Sequence, residues 1–143
     1  MSELRVSPKL VVDGADRAIA FYRSVLGASL ATRHVMGEQV VFAALDLPGG
    51  SVLQVKDPDD VDPAPPAGGG GVILDILTDD PDGVMAAAVE AGAEVVFEVD
   101  DQPYGSRQGR FRDPFGHQWI VGTPVTMDDA EVQAALDDWA RHT

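Results

Sequence analysis

No cysteine occurs among the 143 residues of the chain, which excludes a disulfide framework, a thiolate metal site and a cysteine nucleophile. Basic residues are scarce, with 10 Lys and Arg against 24 Asp and Glu, for a formal net charge of -14. That balance argues against nucleic acid and anionic membrane surfaces as partners, and it attracts cations over about a Debye length, ~8 Å at physiological salt. No stretch approaches the roughly 18 uninterrupted apolar residues of a membrane span, and no signal-peptide pattern opens the sequence, so a cytoplasmic protein is the expectation. Histidine is rare as well: three are present, none at metal-ligand spacing from another. What remains is a 45% hydrophobic composition over 143 residues, enough for a single domain with a sizeable core.

The chain carries the same half twice. In the first half Val12-Asp13-Gly14-Ala15-Asp16 leads into an apolar helical stretch ending Gly27-Ala28, and Pro48-Gly49-Gly50 leads into Ser51-Val52-Leu53-Gln54-Val55. In the second, Thr78-Asp79-Asp80-Pro81-Asp82 leads into a helix ending Gly92-Ala93, and Pro114-Phe115-Gly116 leads into His117-Gln118-Trp119-Ile120-Val121. Adding 66 carries Asp13 to Asp79, Asp16 to Asp82, Pro48 to Pro114 and Val55 to Val121, while Gly27-Ala28 needs 65, a one-residue gap. Two copies are too few for a solenoid and imply a pseudo-symmetric pair of modules.

Each module reads as β-α-β-β-β. Strands are expected over 4–12, 28–36, 39–45 and 51–56, with a helix from about Arg17 to Leu26 capped by the Asp13–Asp16 turn and closed by Gly27. The second module repeats the plan with strands over 72–77, 94–99, 109–112 and 117–121 and a helix from about Asp82 to Ala91. Its polar loop from Asp101 to Gln108 is long for a hairpin and suits a site cover. The domain plan is therefore a first module over 5–57, a Pro/Gly linker over 58–71, a second module over 72–124 and a helix over 125–143, all within one domain over 1–143. The four glycines Gly68 to Gly71 precede a strand and no Lys-Ser or Lys-Thr follows them, so they form a linker and not a phosphate loop. Thr126 is the expected cap of the last helix, whose stripe of Val132, Ala135, Leu136 and Trp139 packs on its own domain or anchors a partner.

The helix Ala18-Ile19-Ala20-Phe21-Tyr22-Arg23-Ser24-Val25-Leu26-Gly27-Ala28, together with Arg112-Asp113-Pro114-Phe115-Gly116-His117-Gln118-Trp119, resembles the vicinal oxygen chelate superfamily. More narrowly, it is similar to glyoxalase-like and bleomycin-resistance-like proteins, in particular the subgroup associated with phosphonate operons. The resemblance covers about residues 5 to 124. It implies an α+β fold of two tandem β-α-β-β-β modules whose curled mixed sheets form a cup, plus a C-terminal helix here, and usually a homodimer. In metal-using relatives the first and last strands of each module each supply a ligand, typically His or Glu. The matching positions here are Ser7, Gln54, Ile73 and Ile120. Isoleucine offers no lone pair, and a hydroxyl or amide binds a divalent ion far less well than imidazole or carboxylate, so no metal and no other cofactor is expected.

Strand alternation directs Val6, Pro8, Leu10 and Val12 towards the helix and leaves Ser7, Lys9 and Val11 for the cup. Gln54 and Asp75 are read as cup residues on central strands. Asp75 either pairs with Lys9 or Lys56 or holds a cationic group of a ligand, because a carboxylate among apolar strand residues is costly unless paired or solvated. His34 is a general base or ligand contact if its face is the cup, and otherwise a solvent-facing or core histidine. Tyr104 suits stacking on a planar ligand, and Arg107 suits an anionic group or the acidic surface of its own protein. His117 is expected to bond locally and Trp119 to lie in the core. These readings give a metal-independent small-molecule binding protein, sequestering a drug or metabolite, with Ser7, Lys9, His34, Gln54, Asp75, Tyr104, Arg107 and Ile120 as ligand-binding candidates. The alternative is a metal-dependent lyase, isomerase or dioxygenase of the same superfamily, and no catalytic residue is assigned under either. A small-molecule ligand and a second copy of the chain are the expected partners.

Overall fold

The structure is a computed structural model that describes residues 4–66 and 71–142. Its described residues form β1 (Lys9–Val11), α1 (Ala15–Leu26), β2 (Ser29–Met36), β3 (Gln39–Asp46), β4 (Val52–Lys56), β5 (Ile73–Leu77), α2 (Pro81–Glu90), β6 (Glu94–Asp101), β7 (Arg107–Arg112), β8 (Gln118–Gly122) and α3 (Asp129–Arg141). Contacts divide the chain into two compact units, Met1–Gly70 with Pro114–His117, and Gly71–Asp113 with Gln118–Thr143. Each holds one four-stranded mixed sheet, ordered β1-β4-β3-β2 in the first and β5-β8-β7-β6 in the second. The fold is therefore α+β, with a β-α-β-β-β plan in each unit and a third helix after the second. Of the linker expected over 58–71, residues 67–70 lie outside the described residues, as do 1–3 and 143.

The duplication extends to individual backbone pairs. Lys9 pairs with Gln54 in the parallel β1–β4 ladder, and Asp75 pairs with Ile120 in the parallel β5–β8 ladder. In the antiparallel ladders Ala44 pairs with Gln54 and Arg110 with Ile120. The one-residue gap also has a structural counterpart, because Leu30 pairs with Leu45 and Val95 with Phe111 at offsets of 65 and 66. A register shift follows each pair, between Leu30 and Thr32 in one sheet and between Val95 and Phe97 in the other. An extra residue at the same place in both outer strands bends them alike.

In the first unit α1 buries Ala18, Ile19, Phe21, Tyr22 and Val25 against Leu10, Val12, Leu45, Leu53 and Val55 of the sheet. Helical spacing places these five residues on one stripe, and the left-handed Gly27, φ 69°, ends the helix as expected. Its start differs from expectation. The helix begins at Ala15 after a left-handed Gly14 with no side-chain cap, because Asp57 takes that role from the end of β4: its carboxylate accepts from Ala15 N and from Val40 N, each at 2.8 Å. Asp16 instead makes a bidentate pair with Arg33 at 2.8 and 2.9 Å, and those hydrogen bonds hold its carboxyl below the usual range.

Other boundaries differ as well. β1 is shorter than expected, since Leu4 and Val6 are exposed and the ladder fades at Pro8, whose carbonyl accepts from Gln54 N. β6 and β7 run further, which shortens the loop between them to Gln102–Ser106. α3 is capped by Asp128, not Thr126: Asp128 accepts from Glu131 N and Glu131 accepts from Asp128 N, a reciprocal capping box. Thr126 donates instead to the Gly105 carbonyl at 2.9 Å.

The turn after β7 sends two side chains into the first unit. Phe115 packs edge-on against Phe21, centroids 6.0 Å apart, and His117 places Nε2 3.0 Å from the Val11 carbonyl. A carbonyl only accepts, so that ring nitrogen carries the proton; the bond spans the chain and is not the local one expected of a turn residue. Trp119 is buried as expected, stacked on Phe111 and donating from Nε1 to the buried Asp113 at 2.8 Å.

Candidate functional site

One row of side chains crosses the second sheet. Asp75, Ile120, Arg110 and Phe97 are successive backbone partners on β5, β8, β7 and β6, and residues opposite one another in a ladder project to the same side. The reverse side carries Phe111, Trp119 and Val121, all buried. The row therefore lies on the sheet's open face, with Gln108 two residues along β7 on the same side.

That face floors a cavity of about 480 Å³, lined by Phe97, Tyr104, Gln108, Arg110, Ile120 and, from α3, Trp139. The volume falls within the ~300–1,000 Å³ typical of small-molecule sites. Two of its aromatic residues are largely open, Phe97 at 63% and Trp139 at 53% exposure. Exposed rings lining one cavity have stacking area to offer a flat ligand.

The polar lining of the cavity is Glu98, Asp100, Gln102, Tyr104, Gln108 and Arg110. Tyr104 donates its hydroxyl to Gln108 Oε1 at 2.7 Å; burial, and then the negative charge of Asp75, push its phenol up, so it stays protonated. The Arg110 guanidinium lies 5.7 Å from the centre of the Phe97 ring. Its Nη1 is 3.4 Å from Gln118 Oε1, and its Nε is buried without a hydrogen-bond partner. A second depression of about 530 Å³ lies between α2 and β6. It is larger, but it holds no aromatic ring, which makes it the poorer site for a flat organic molecule.

The residues expected from sequence separate by unit. Tyr104 and Ile120 line the cavity, and Asp75 stands in the same row. β5 is the outermost strand of its sheet, not a central one, so Asp75 is exposed and water solvates its carboxylate. Arg107 turns away to the helix side, in a bidentate pair with Asp82 at 2.8 and 2.9 Å and a contact to Asp101 at 3.3 Å. Those bonds raise the Arg107 pKa and lower that of Asp82. In the first unit Lys9 and His34 meet at one ring: the Lys9 ammonium lies 5.3 Å from the Phe42 centroid, and His34 stacks on it at 6.2 Å. His34 Nε2 is also 2.9 Å from the Thr32 hydroxyl. Gln54 stands beside Lys9 in the β4–β1 ladder, and Ser7 is half-buried just before β1. Lys56 is taken by Asp59 and Asp62 at 2.7 and 2.6 Å, and so is not the partner of Asp75.

Phe97, Gln108, Arg110 and Trp139 are cavity residues absent from the ligand-binding candidates expected from sequence, Trp139 being expected only as part of a helical stripe. A signal for two of them exists in the repeat, since Arg110 and Phe97 stand where the first module has Ala44 and Thr32. A large side chain replacing a small one at a matched open-face position marks the module with the site.

A pair of β-α-β-β-β units, each with one helix-covered and one open sheet face, defines a class of small α+β scaffold. Residues 5–121 match the Glyoxalase/Bleomycin resistance protein/Dioxygenase superfamily, and the chain belongs to it. Among its relatives is the uncharacterized protein Mb0911c of Mycobacterium bovis, 38% identical over 94% of this chain and 93% of that protein. Among solved structures, a gene product of Arabidopsis thaliana is 30% identical with a TM-score of 0.65, covering 85% of this chain and 98% of the other. The protein PA1353 of Pseudomonas aeruginosa, 22% identical with a TM-score of 0.73 over 85% of this chain and 98% of its own, shares the fold.

The superfamily resemblance implies a divalent ion, and the donor chemistry of the matching positions does not fit one. Gln54 and Ile120 stand at equivalent ladder positions, and Ser7 and Ile73 correspond by the same offset. Two of the four side chains are aliphatic and the other two neutral. Among the described residues no three of His, Asp and Glu converge to an ion-sized site.

Proposed function

We propose that this protein binds a small organic molecule, sequestering it without a metal on the open face of the second unit's sheet. The observation that carries the reading is the 480 Å³ cavity, with two exposed aromatic rings and an aliphatic floor at Ile120 among polar walls that include Glu98, Asp100, Tyr104, Gln108 and Arg110. Aromatic and aliphatic surface combined with placed polar groups is the means by which a ligand pocket binds and orients its ligand. A ligand with a flat apolar body lies between Phe97 and Trp139, and Tyr104 and Gln108 fix its orientation. Asp75, exposed on the same face, receives a cationic group if the ligand has one, and the net charge of -14 assists its approach.

The test is a thermal-shift titration of chelator-dialysed protein against neutral and charged naphthalene derivatives, with metal analysis of the untreated protein. At 100 times its dissociation constant a ligand adds about 2.7 kcal/mol of stability. Saturable stabilisation of the metal-free protein supports the reading. A stoichiometric divalent ion surviving dialysis, with stabilisation only in its presence, overturns it in favour of a metal-dependent enzyme.

A further inference from the structure

We infer that Arg110 is an anchor for an acidic group of the ligand, so that the open face of the second sheet takes a flat apolar molecule bearing a carboxylate or other oxyanion. The inference rests on the binding role proposed for this face and specifies the chemistry of what is bound. The chain has 24 Asp and Glu, yet among the described residues none forms an ion pair with Arg110, whereas Arg33, Arg107 and Arg112 each meet a carboxylate. Arg112, two residues along the same face, also has a buried Nε without a partner, but its Nη1 reaches Glu94 at 3.4 Å.

Arginine cannot shed its proton to escape this situation. The Arg110 Nε is buried with no acceptor, and the contact from Nη1 to Gln118, at 3.4 Å, is too long to be a strong hydrogen bond. A buried donor left unsatisfied is costly, and more so when charged. The Phe97 ring offsets part of that cost from one side by a cation–π contact. An incoming oxyanion would pair with the terminal Nη groups, because charge-assisted bonds to a guanidinium are short and frequently two-pronged. The same Phe97 ring that supports the guanidinium continues, 63% exposed, as a platform for the apolar body. Asp75 stands beyond Ile120 in the same row and Glu98 and Asp100 line the same cavity, so an oxyanion must contact the guanidinium directly to outweigh them.

Two fluorescent probes that differ by a single group decide the matter: anilinonaphthalene sulfonate, and neutral phenylnaphthylamine, which lacks the sulfonate. The wild-type protein is expected to bind the sulfonate more tightly. Arg110→Met, which keeps the length of the stem, should weaken the sulfonate about tenfold or more and change the neutral probe by less than about twofold, as expected for loss of a charged hydrogen bond. Equal affinity of the wild type for both probes overturns the inference, as does equal weakening of both by the variant. If circular dichroism shows Arg110→Met unfolded, the wild-type preference decides alone, with Arg110→Lys expected to retain part of it. Binding of the neutral probe without any preference removes the anion anchor and leaves the binding face standing. Failure of both probes to bind removes the face as well.

Discussion

Gln54 and Ile120 occupy one position in two copies of the same sheet. Each is flanked on one side by the parallel first strand, at Lys9 or Asp75, and on the other by the antiparallel third strand, at Ala44 or Arg110. The duplicated backbone thus presents two open faces of the same geometry with different chemistry. The first carries Lys9 and His34 around Phe42. The second carries Arg110, Phe97 and Ile120 around a cavity. Neither Gln54 nor Ile120 offers a strong metal donor.

A polar pair is buried in the core of the second unit. Trp119 Nε1 donates at 2.8 Å to Asp113, which is 3% exposed. Asp113→Ala leaves a buried indole N–H without its acceptor and should cost about 1–3 kcal/mol, read as a lower urea midpoint. Asp113→Asn keeps an acceptor oxygen and should lose less. Equal losses would show that the bond itself contributes little.

Acid stability carries the mark of the Lys56 cluster. Hydrogen bonds from Lys56 and from the backbone of Asp62 and Val61 lower Asp59 from 3.8 to about 2. A pKa depressed by folding means a contribution that is complete above about 3.8 and lost as pH falls towards about 2. The stability gap between wild type and Asp59→Asn should therefore be constant near neutrality and shrink through that window. A gap independent of pH down to about 2 contradicts the assigned bonds.

Asp75 is exposed and makes no ion pair among the described residues, so Asp75→Asn should alter stability by no more than about 0.5 kcal/mol. It should nonetheless be felt at Tyr104. Burial is the larger cause of that raised phenol pKa and the charge of Asp75 the smaller; removing the charge should shift the titration of Tyr104 downward, measured by ultraviolet absorbance. An unchanged titration would place Asp75 too far from the cavity to contact a ligand there.

Much of the fold is legible in the duplication. Offsets of 66 and 65 in sequence reappear as equivalent ladder pairs. The residue that restores the offset to 66 is a second register shift in β6, between Phe97 and Asp100, with no counterpart between Thr32 and His34. Alternation correctly groups Lys9 with Gln54, and Asp75 with Ile120, because period-two geometry is local. It cannot say that β5 is outermost in its sheet, which depends on strand order, and so it makes Asp75 look like a central-strand carboxylate. Arg107 is equally illegible: its partner Asp82 is 25 residues away on α2, and a long side chain can serve either face. Trp139 shows only a helical stripe, with nothing local to tell a core contact from a cavity wall.

A homodimer is expected, since β2 is an outer strand with Val35 and Met36 exposed at 46% and 73%, an edge suited to pairing with a second copy. Light scattering at micromolar concentration should return about twice the 15.1 kDa of one chain. A mass of one chain would refute it.

Metal-free binding on the open face of β5-β8-β7-β6 is tested most directly by amide chemical-shift mapping of chelator-dialysed protein titrated with phenylnaphthylamine. Saturable shifts concentrated at Phe97, Tyr104, Gly109, Arg110 and Ile120, with no divalent ion added, are the predicted result. Shifts confined to the α2–β6 depression at Met85, Val89 and Val95, or appearing only after a divalent ion is supplied, would contradict it.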